Sequence, residues 1–401
     1  MLGHINIYCT HWRDGHPLPN GLVEDELFGE SDENLDPYGE SNGRYNNQFL
    51  ESVFENHSIP YKYTQSMSEP FIYFMDVCVC HLDTPRLNTS LRFIITKEIV
   101  DALNKHGILV FYDSEGVGII NTLLFGELKS LGLDLSKVVV LSAAKQSDNR
   151  LKSFFISHLG EIFYNTLIRN KSASVKLMNR VRKQEPHKTF SILTGRADAI
   201  HKALLVKRVY NAGFLDDSIF SLVVVRHAMY RKLIPQVLVD RLPIYADAKV
   251  DNENSIFNLV FTQLGAIPLT SEAYVNIIPS GTWRASRKQA PDGRLPNQFF
   301  VSVIAKRPFL MFSNFTNYLD IIRDLGYKTF DGILDESYDT EPNLQKRADL
   351  IIKQMHDLKS RDLKSLLAEC DDILEHNLRL FMSKRTSQPF VDYLQSLSLY
   401  T

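Results

Sequence analysis

The sequence predicts an α/β fold in two domains, each built on an open sheet of parallel strands. Runs rich in β-branched residues alternate with segments of helical spacing along both halves of the chain. The 401 residues exceed what one ordinary core accommodates, so two domains of about 150–200 residues are expected. The composition, 44% hydrophobic and 23% charged, is that of a soluble globular protein, and a net charge of −2 gives no overall bias toward nucleic acid or membrane.

HINIYCT (4–10) alternates and reads as a first strand. Residues 23–40 follow with eight acids and no base, a solvated excursion. ITKEIVDALNKHG (95–107) has helical spacing, ILVFYDSEG (108–116) is a strand entering a turn, and 117–132 is helical again. KVVVLSAAK (137–145) is a buried type of strand. DSEGVG (113–118) sits at the carboxyl end of its strand, where open α/β sheets bind ligands.

Residues 169–188 carry seven Lys/Arg against one Glu, and EPHK (185–188) is a natural break. The predicted domains are therefore 1–185 and 186–365, with C-terminal helices over 366–401. The basic segment reads either as a stripe facing phosphates, through Lys176, Arg180, Arg182 and Lys183, or as a solvated helix face with a linker.

The second half opens with a strand, the turn LTGRADAIHK, a helix ending near Gly213 and another strand. AYVNIIPS (273–280) is strand-like and 284–297 is a polar loop. FFVSVIAKRPFLMFS (299–313) gives a helix or strand, then a strand. Sustained helical spacing over 343–384 gives the terminal helices.

In LTGRADAIHK, Gly195 tolerates unusual backbone angles. The following helix start, with Arg196, His201 and Lys202, forms an anion-receptive corner. SNFTN (313–317) is the equivalent corner after the next strand: Ser313, Asn314 or Thr316 caps the helix YLDIIRDL, and Gly326 stops it. A general base must lie within hydrogen-bond reach of an acceptor hydroxyl. The candidates are His11, Asp14 and His16 in THWRDGH, then Asp113, Glu115, Glu272, Asp335 and Glu336.

No P-loop, HExxH or GxSxG motif is present, and DAKVD (247–251) lacks metal-carboxylate spacing. No Cys/His array has zinc spacing. Cys9, Cys78, Cys80 and Cys370 read as unpaired thiols of a reducing, cytoplasmic compartment. The N-terminus lacks a signal-peptide pattern, and no apolar run reaches the ~18–20 residues of a membrane span.

Several segments together resemble a family of phage-encoded glycosyltransferase-like proteins of the two-domain GT-B kind. They are FSILTGRADAIHKALLVKRVYNAGFLDDSIFS, AKRPFLMFS, GYKTFDGILDESYD and, more loosely, ILVFYDSEG. The resemblance implies two Rossmann-like domains facing across a cleft, a nucleotide-sugar co-substrate bound by the second, an acceptor bound largely by the first, and no cofactor or metal. UDP-linked donors are the expected class. The donor residues it implies are Gly195, Arg196, His201, Lys202, Asn297, Gln298, Ser313, Asn314 and Thr316. The catalytic ones are His11, Asp14, Asp113 and Glu115. The acceptor stays open: a hydroxylated pyrimidine of double-stranded phage DNA, in the cytoplasm of an infected host, is the first choice and a polysaccharide or small molecule the next, with no membrane partner. The chain departs from the family at PNQFFVSV (296–303), where Asn297-Gln298 replaces an acid-base pair. Amides still hydrogen-bond hydroxyls but supply no charge. The rival reading is a non-catalytic protein that keeps the fold as a virion or interaction component.

Overall fold

The computed structural model describes residues 4–8, 42–64, 66–76, 95–113, 120–143, 150–169, 171–197, 199–225, 228–244, 266–280, 295–383 and 385–397. The chain divides into two compact units, Met1–Asn165 with Arg385–Thr401, and Thr166–Lys384. The first division falls before the basic segment, and the second returns the end of the described chain to the first unit.

The first unit carries β1 (Ile5–Tyr8), α1 (Asn42–Asn56), β2 (Tyr61–Thr64), β3 (Phe71–Asp76), α2 (Lys97–His106), β4 (Gly107–Asp113), α3 (Ile120–Ser130), β5 (Val138–Ser142), β6 (Lys152–Phe155) and α4 (His158–Arg169), whose last turns run into the second unit. Its six strands are parallel in the order β2-β1-β3-β4-β5-β6. The reversal at β1 lets helices cover both faces, and alternate strand residues enter two separate cores. Phe49, Val53 and Phe54 of α1 pack with Ile7, Ile72, Val110 and Leu141 on one face. Ile99, Val100 and Leu103 of α2 pack with Tyr73, Leu109, Phe111 and Val140 on the other. Gly107 joins α2 directly to β4: a Cβ there would lie 2.9 Å from the Phe71 ring, so only glycine admits this helix–strand junction.

The first face is completed from far along the sequence. In α14 (Gln388–Ser396), Phe390, Val391 and Leu394 are buried in the α1 core beside Phe154 and Ile162. Buried Glu161 holds the approach to that helix, accepting from Thr386 Oγ1 (3.0 Å), the Ser387 N–H (3.0 Å) and Asn56 Nδ2 (2.9 Å).

The second unit carries α5 (Lys171–Lys183), β7 (Lys188–Arg196), α6 (Ile200–Asn211), β8 (Ser218–Val224), α7 (Ala228–Arg231), α8 (Gln236–Val239), α9 (Ala266–Ser271), β9 (Ala273–Ser280), α10 (Asn297–Ala305), β10 (Phe309–Ser313), α11 (Tyr318–Asp324), α12 (Leu344–Lys359) and α13 (Leu363–Ser383). Its sheet is parallel in the order β10-β9-β7-β8. From β7 the chain crosses to β8 on one side, and β9 then lies on the other, so β7 and β9 flank a switch point. Right-handed crossovers in opposite directions place their helices on opposite faces. Asn276 Nδ2 of β9 donates to Ser302 Oγ of α10 (2.9 Å), whereas the His201 ring of α6 lies 6.4 Å from that of Phe312. Asn276 pairs with Phe309, three residues before Phe312, so the two contacts lie on opposite faces.

FFVSVIA, legible as helix or strand, is helix. Every residue from Phe299 to Ala305 is buried, so no polar stripe marks its period. Truncating Phe390 to Ala should cost about 3–5 kcal/mol, because it opens a cavity in the α1 face of the first unit. Chemical denaturation of wild type and variant measures this, and a difference below about 1 kcal/mol would mean that α14 does not complete that core.

Candidate functional site

The residues with chemistry in the second unit gather at the carboxyl edge of its sheet. β7 ends in Thr194-Gly195-Arg196, β9 in Ser280, and β10 in Ser313 opposite Ser280. Each βα crossover starts its helix at this edge, so α6 and α10 both begin there. Gln298 Nε2 donates to the Leu193 carbonyl (3.2 Å), which ties the start of α10 to the end of β7. This brings Gly195, Arg196, His201, Lys202, Asn297, Gln298 and Ser313 to one edge of one sheet, with Asn314 and Thr316 in the turn that follows. Of the residues expected in catalysis, Asp113 is the last residue of β4 in the first unit. His11, Asp14, His16 and Glu115 lie outside the described residues, as do the acidic segment 23–40, the loop 284–294 and three of the four cysteines.

The first turn of α6 is the open helix start. A helix leaves its first N–H groups without intrahelical acceptors, and Ala199 at the N-cap offers no side-chain oxygen. Ile200 at the first helical position is exposed, and Lys202 two residues on is half-buried. Gly195-Arg196 precedes this start at the end of β7. The combination is an anion-receptive corner on a 12-residue helix that ends, as its sequence predicts, just before Gly213 with φ +74°.

His201 plays a different part from the one its sequence position suggests. Its ring is fully buried, and neither nitrogen has a hydrogen-bond partner among the described residues. Burial, with Lys202 and Arg347 adding like charge, lowers its pKa from 6.5 to about 3. At neutral pH it is an uncharged core group rather than a cation for an anionic ligand. Thr194 Oγ1 and Asn297 Oδ1 are likewise buried without partners at this edge.

SNFTN also departs from expectation. No side chain of the turn caps α11: the N-cap is Asn317, in the left-handed region at φ +58°, and it makes no side-chain cap bond. The cap comes from Asp339, twenty residues beyond Leu319, whose N–H donates to Asp339 Oδ2 (2.9 Å). The Tyr318 N–H also bonds this carboxylate, and burial raises its pKa despite both contacts. The start of α11 thus already holds an internal anion. Ser313 Oγ accepts from the Phe315 N–H (3.1 Å), so it shapes the turn.

The turn is fixed from beneath by Arg347 of α12. This buried guanidinium donates from Nη1 to the carbonyls of Ser313 (2.7 Å) and Phe315 (2.6 Å), and from Nε to that of Glu341 (2.9 Å). The remaining candidate acids, two beside the turn and Glu272 at the opposite end of β9, are structural. Glu336 accepts from the Phe330 N–H (2.7 Å), Thr329 Oγ1 (3.0 Å) and Arg323. Asp335 accepts from the Ser337 N–H (2.9 Å), and Glu272 from Gln184 Nε2 (2.9 Å). Tyr338 is fully buried and its hydroxyl accepts from the Met311 N–H (3.1 Å), which seals the outer edge of β10. Gly326 stops α11 as predicted, at φ +92°. GYKTFDGILDESYD therefore braces the edge strand and caps α11. Among the described residues no group of three His, Cys, Asp or Glu is placed to hold a metal ion, and no helix is long and apolar enough to cross a membrane.

His201 makes a pH prediction. Its folded pKa lies below the unfolded value of 6.5, so the unfolded chain takes up a proton that the folded chain refuses. Stability is full above pH 6.5 and falls by about 1.4 kcal/mol per pH unit as the medium is acidified. His201→Leu should remove that part of the slope between pH 6.5 and 5, as measured by denaturation at each pH. Coincident slopes for the two proteins would contradict a neutral buried imidazole.

No family model matches the sequence, and no curated protein matches it. Among solved structures it is similar to two trehalose-phosphate synthases. One is the alpha,alpha-trehalose 6-phosphate synthase of Burkholderia multivorans, with 10% identity over 89% of this chain and 75% of the other, at a TM-score of 0.39. The other is the UDP-forming enzyme of Burkholderia vietnamiensis, with 10% identity over 89% and 77%, also at 0.39. The N-terminal domain of Candida albicans trehalose-6-phosphate phosphatase is similar over 99% of this chain and 97% of the other, at 10% identity and a TM-score of 0.45. At scores below 0.5 these likenesses bear on neither activity nor substrate.

Proposed function

We propose that the chain is a glycosyltransferase, moving a sugar from a UDP-linked donor to a hydroxyl acceptor. The observation that carries this reading is the uncapped start of α6, three residues beyond Gly195-Arg196, at the switch point of a parallel sheet. A nucleoside diphosphate needs a helix N-terminus together with cations, and the sequence sets Arg196 and Lys202 on either side of this helix start. The resemblance of LTGRADAIHK and PFLMFS to a glycosyltransferase-like family adds independent support.

In this reading the second unit holds the donor. The acceptor oxygen bonds to the anomeric carbon as the bond from that carbon to the diphosphate oxygen breaks. Arg196, Lys202 and the α6 dipole offset the charge on the departing diphosphate. The acceptor's proton passes to a base, for which His11, Asp14, Asp113 and Glu115 are the candidates. The acceptor we favour is the hydroxyl of a modified pyrimidine in DNA, reached in the cytoplasm of a phage-infected host.

A second reading, a non-catalytic relative, is favoured by two observations. The Gln298 amide is engaged by the Leu193 carbonyl, and the start of α11 is occupied by Asp339. Thermal melting with UDP and a panel of UDP-sugars separates the readings. A ligand at a hundred times its Kd stabilises the native state by about 2.7 kcal/mol, enough to raise Tm by a few degrees. Wild type should show that shift with UDP, and Arg196→Ala should lose most of it. No shift with any nucleotide would refute the transferase reading, and a shift without release of UDP from any donor would favour the non-catalytic one.

A further inference from the structure

We infer that α5 is a docking surface for double-stranded nucleic acid. Lys171–Lys183 contains five Lys/Arg and no acid, in a chain whose net charge is −2. Lys171, Lys176, Arg180 and Lys183 are all exposed. None of the four has an ion-pair partner among the described residues. Other cations of the same unit are neutralised, Arg208 by Asp349 (2.8 Å), Lys306 by Asp371 (2.9 Å) and Glu375 (3.2 Å), and Arg361 by Glu369 (2.9 Å). On α5 the exposed cations stand without such partners among the described residues and without an acid among them.

Its arrangement suits a phosphate backbone. Lys176, Arg180 and Lys183 fall at i, i+4 and i+7, so they ascend one side of the helix in steps of about 6 and 4.5 Å. Each strand of a duplex presents a phosphate about every 3.4 Å of axis, so such a stripe can meet several charges at once. The helix is firmly mounted. Ser174 and Val181 are buried on its opposite side. At its end Gln184 donates to Glu272 and accepts from Ser271 Oγ (3.1 Å), while its carbonyl accepts from buried Arg307 (3.3 Å). A rigid row of cations positions a backbone without reading bases.

Two other polyanionic partners fit less well. Single strands are held by aromatic stacking, and residues 169–188 contain no Phe, Tyr or Trp. An anionic membrane surface is met by a helix that inserts an apolar face, and here Val181 is buried and Leu177 and Met178 half-buried, which leaves Val175 as the exposed apolar residue among the described ones. The inference rests on α5 alone and not on the transferase reading.

The test uses the full chain, a labelled duplex of arbitrary sequence and no nucleotide sugar, with fluorescence anisotropy read from 50 to 200 mM salt. Three to four phosphate contacts predict a slope of log K against log salt of about −3. The variant Lys176→Gln, Arg180→Gln, Lys183→Gln should keep the wild-type Tm, since all three side chains are exposed, yet lose most of the affinity and flatten the slope by about 2–3. Exchanging the same positions as Lys176→Arg, Arg180→Lys, Lys183→Arg should restore both. Unchanged affinity in the neutralised variant overturns the proposal. So does single-stranded DNA bound as tightly as duplex, or phosphatidylserine vesicles bound where duplex is not.

Discussion

The second unit depends on the burial of one charge. A guanidinium taken out of water has five N–H donors to satisfy, and leaving them unmet costs several kcal/mol. Arg347 meets that demand with main-chain carbonyls at Ser313, Phe315 and Glu341 rather than with a carboxylate. The turn after β10 cannot relax without stranding the charge, and α12 cannot shift without losing the turn. Asp339 is placed by the same knot: its carbonyl accepts from the Asn317 N–H (2.9 Å) while its carboxylate caps α11. Burial lowers the pKa of Arg347, but a guanidinium starts high enough to remain charged.

From that fixed turn the rest of the edge takes its geometry. β10 is held between its pairing with β9 and the Tyr338 hydroxyl. The amide–hydroxyl chain Asn276–Ser302 and the Gln298–Leu193 bond register α10 against β9 and β7. The start of α6, in contrast, has no side-chain cap and an exposed first residue. The carboxyl edge therefore contrasts a braced side at β10 with an uncapped helix start after β7.

Much of this was legible in the sequence, for local reasons. β4, β5 and β9 are apolar, β-branched runs and β10 an apolar run of Phe, Leu and Met, and Gly213 and Gly326 punctuate helices where a left-handed residue is needed. What escaped reading was set by distance. Nothing in SNFTN announces that its capping acid is Asp339. The helical spacing of α14 shows an apolar face but not which sheet receives it. His201 reads as a cation beside Lys202, and its neutrality follows only from its full burial, with Phe312 of β10 beside the ring. The helix α1 and strands β2 and β3 gave no reading, although FIYFMD is as apolar as the strands that did.

The return of residues 385–397 to the first unit has a biosynthetic consequence. On the ribosome the strands of that unit are made early, yet Phe390, Val391 and Leu394 emerge only after all 219 residues of Thr166–Lys384. At about 5–20 residues per second, the α1 face waits some tens of seconds for its cover. Through that interval the nascent chain carries an open apolar surface, and the later unit has every residue it requires before the earlier one does. Order of synthesis and order of completion are thus inverted, and the unit begun first is the one finished last.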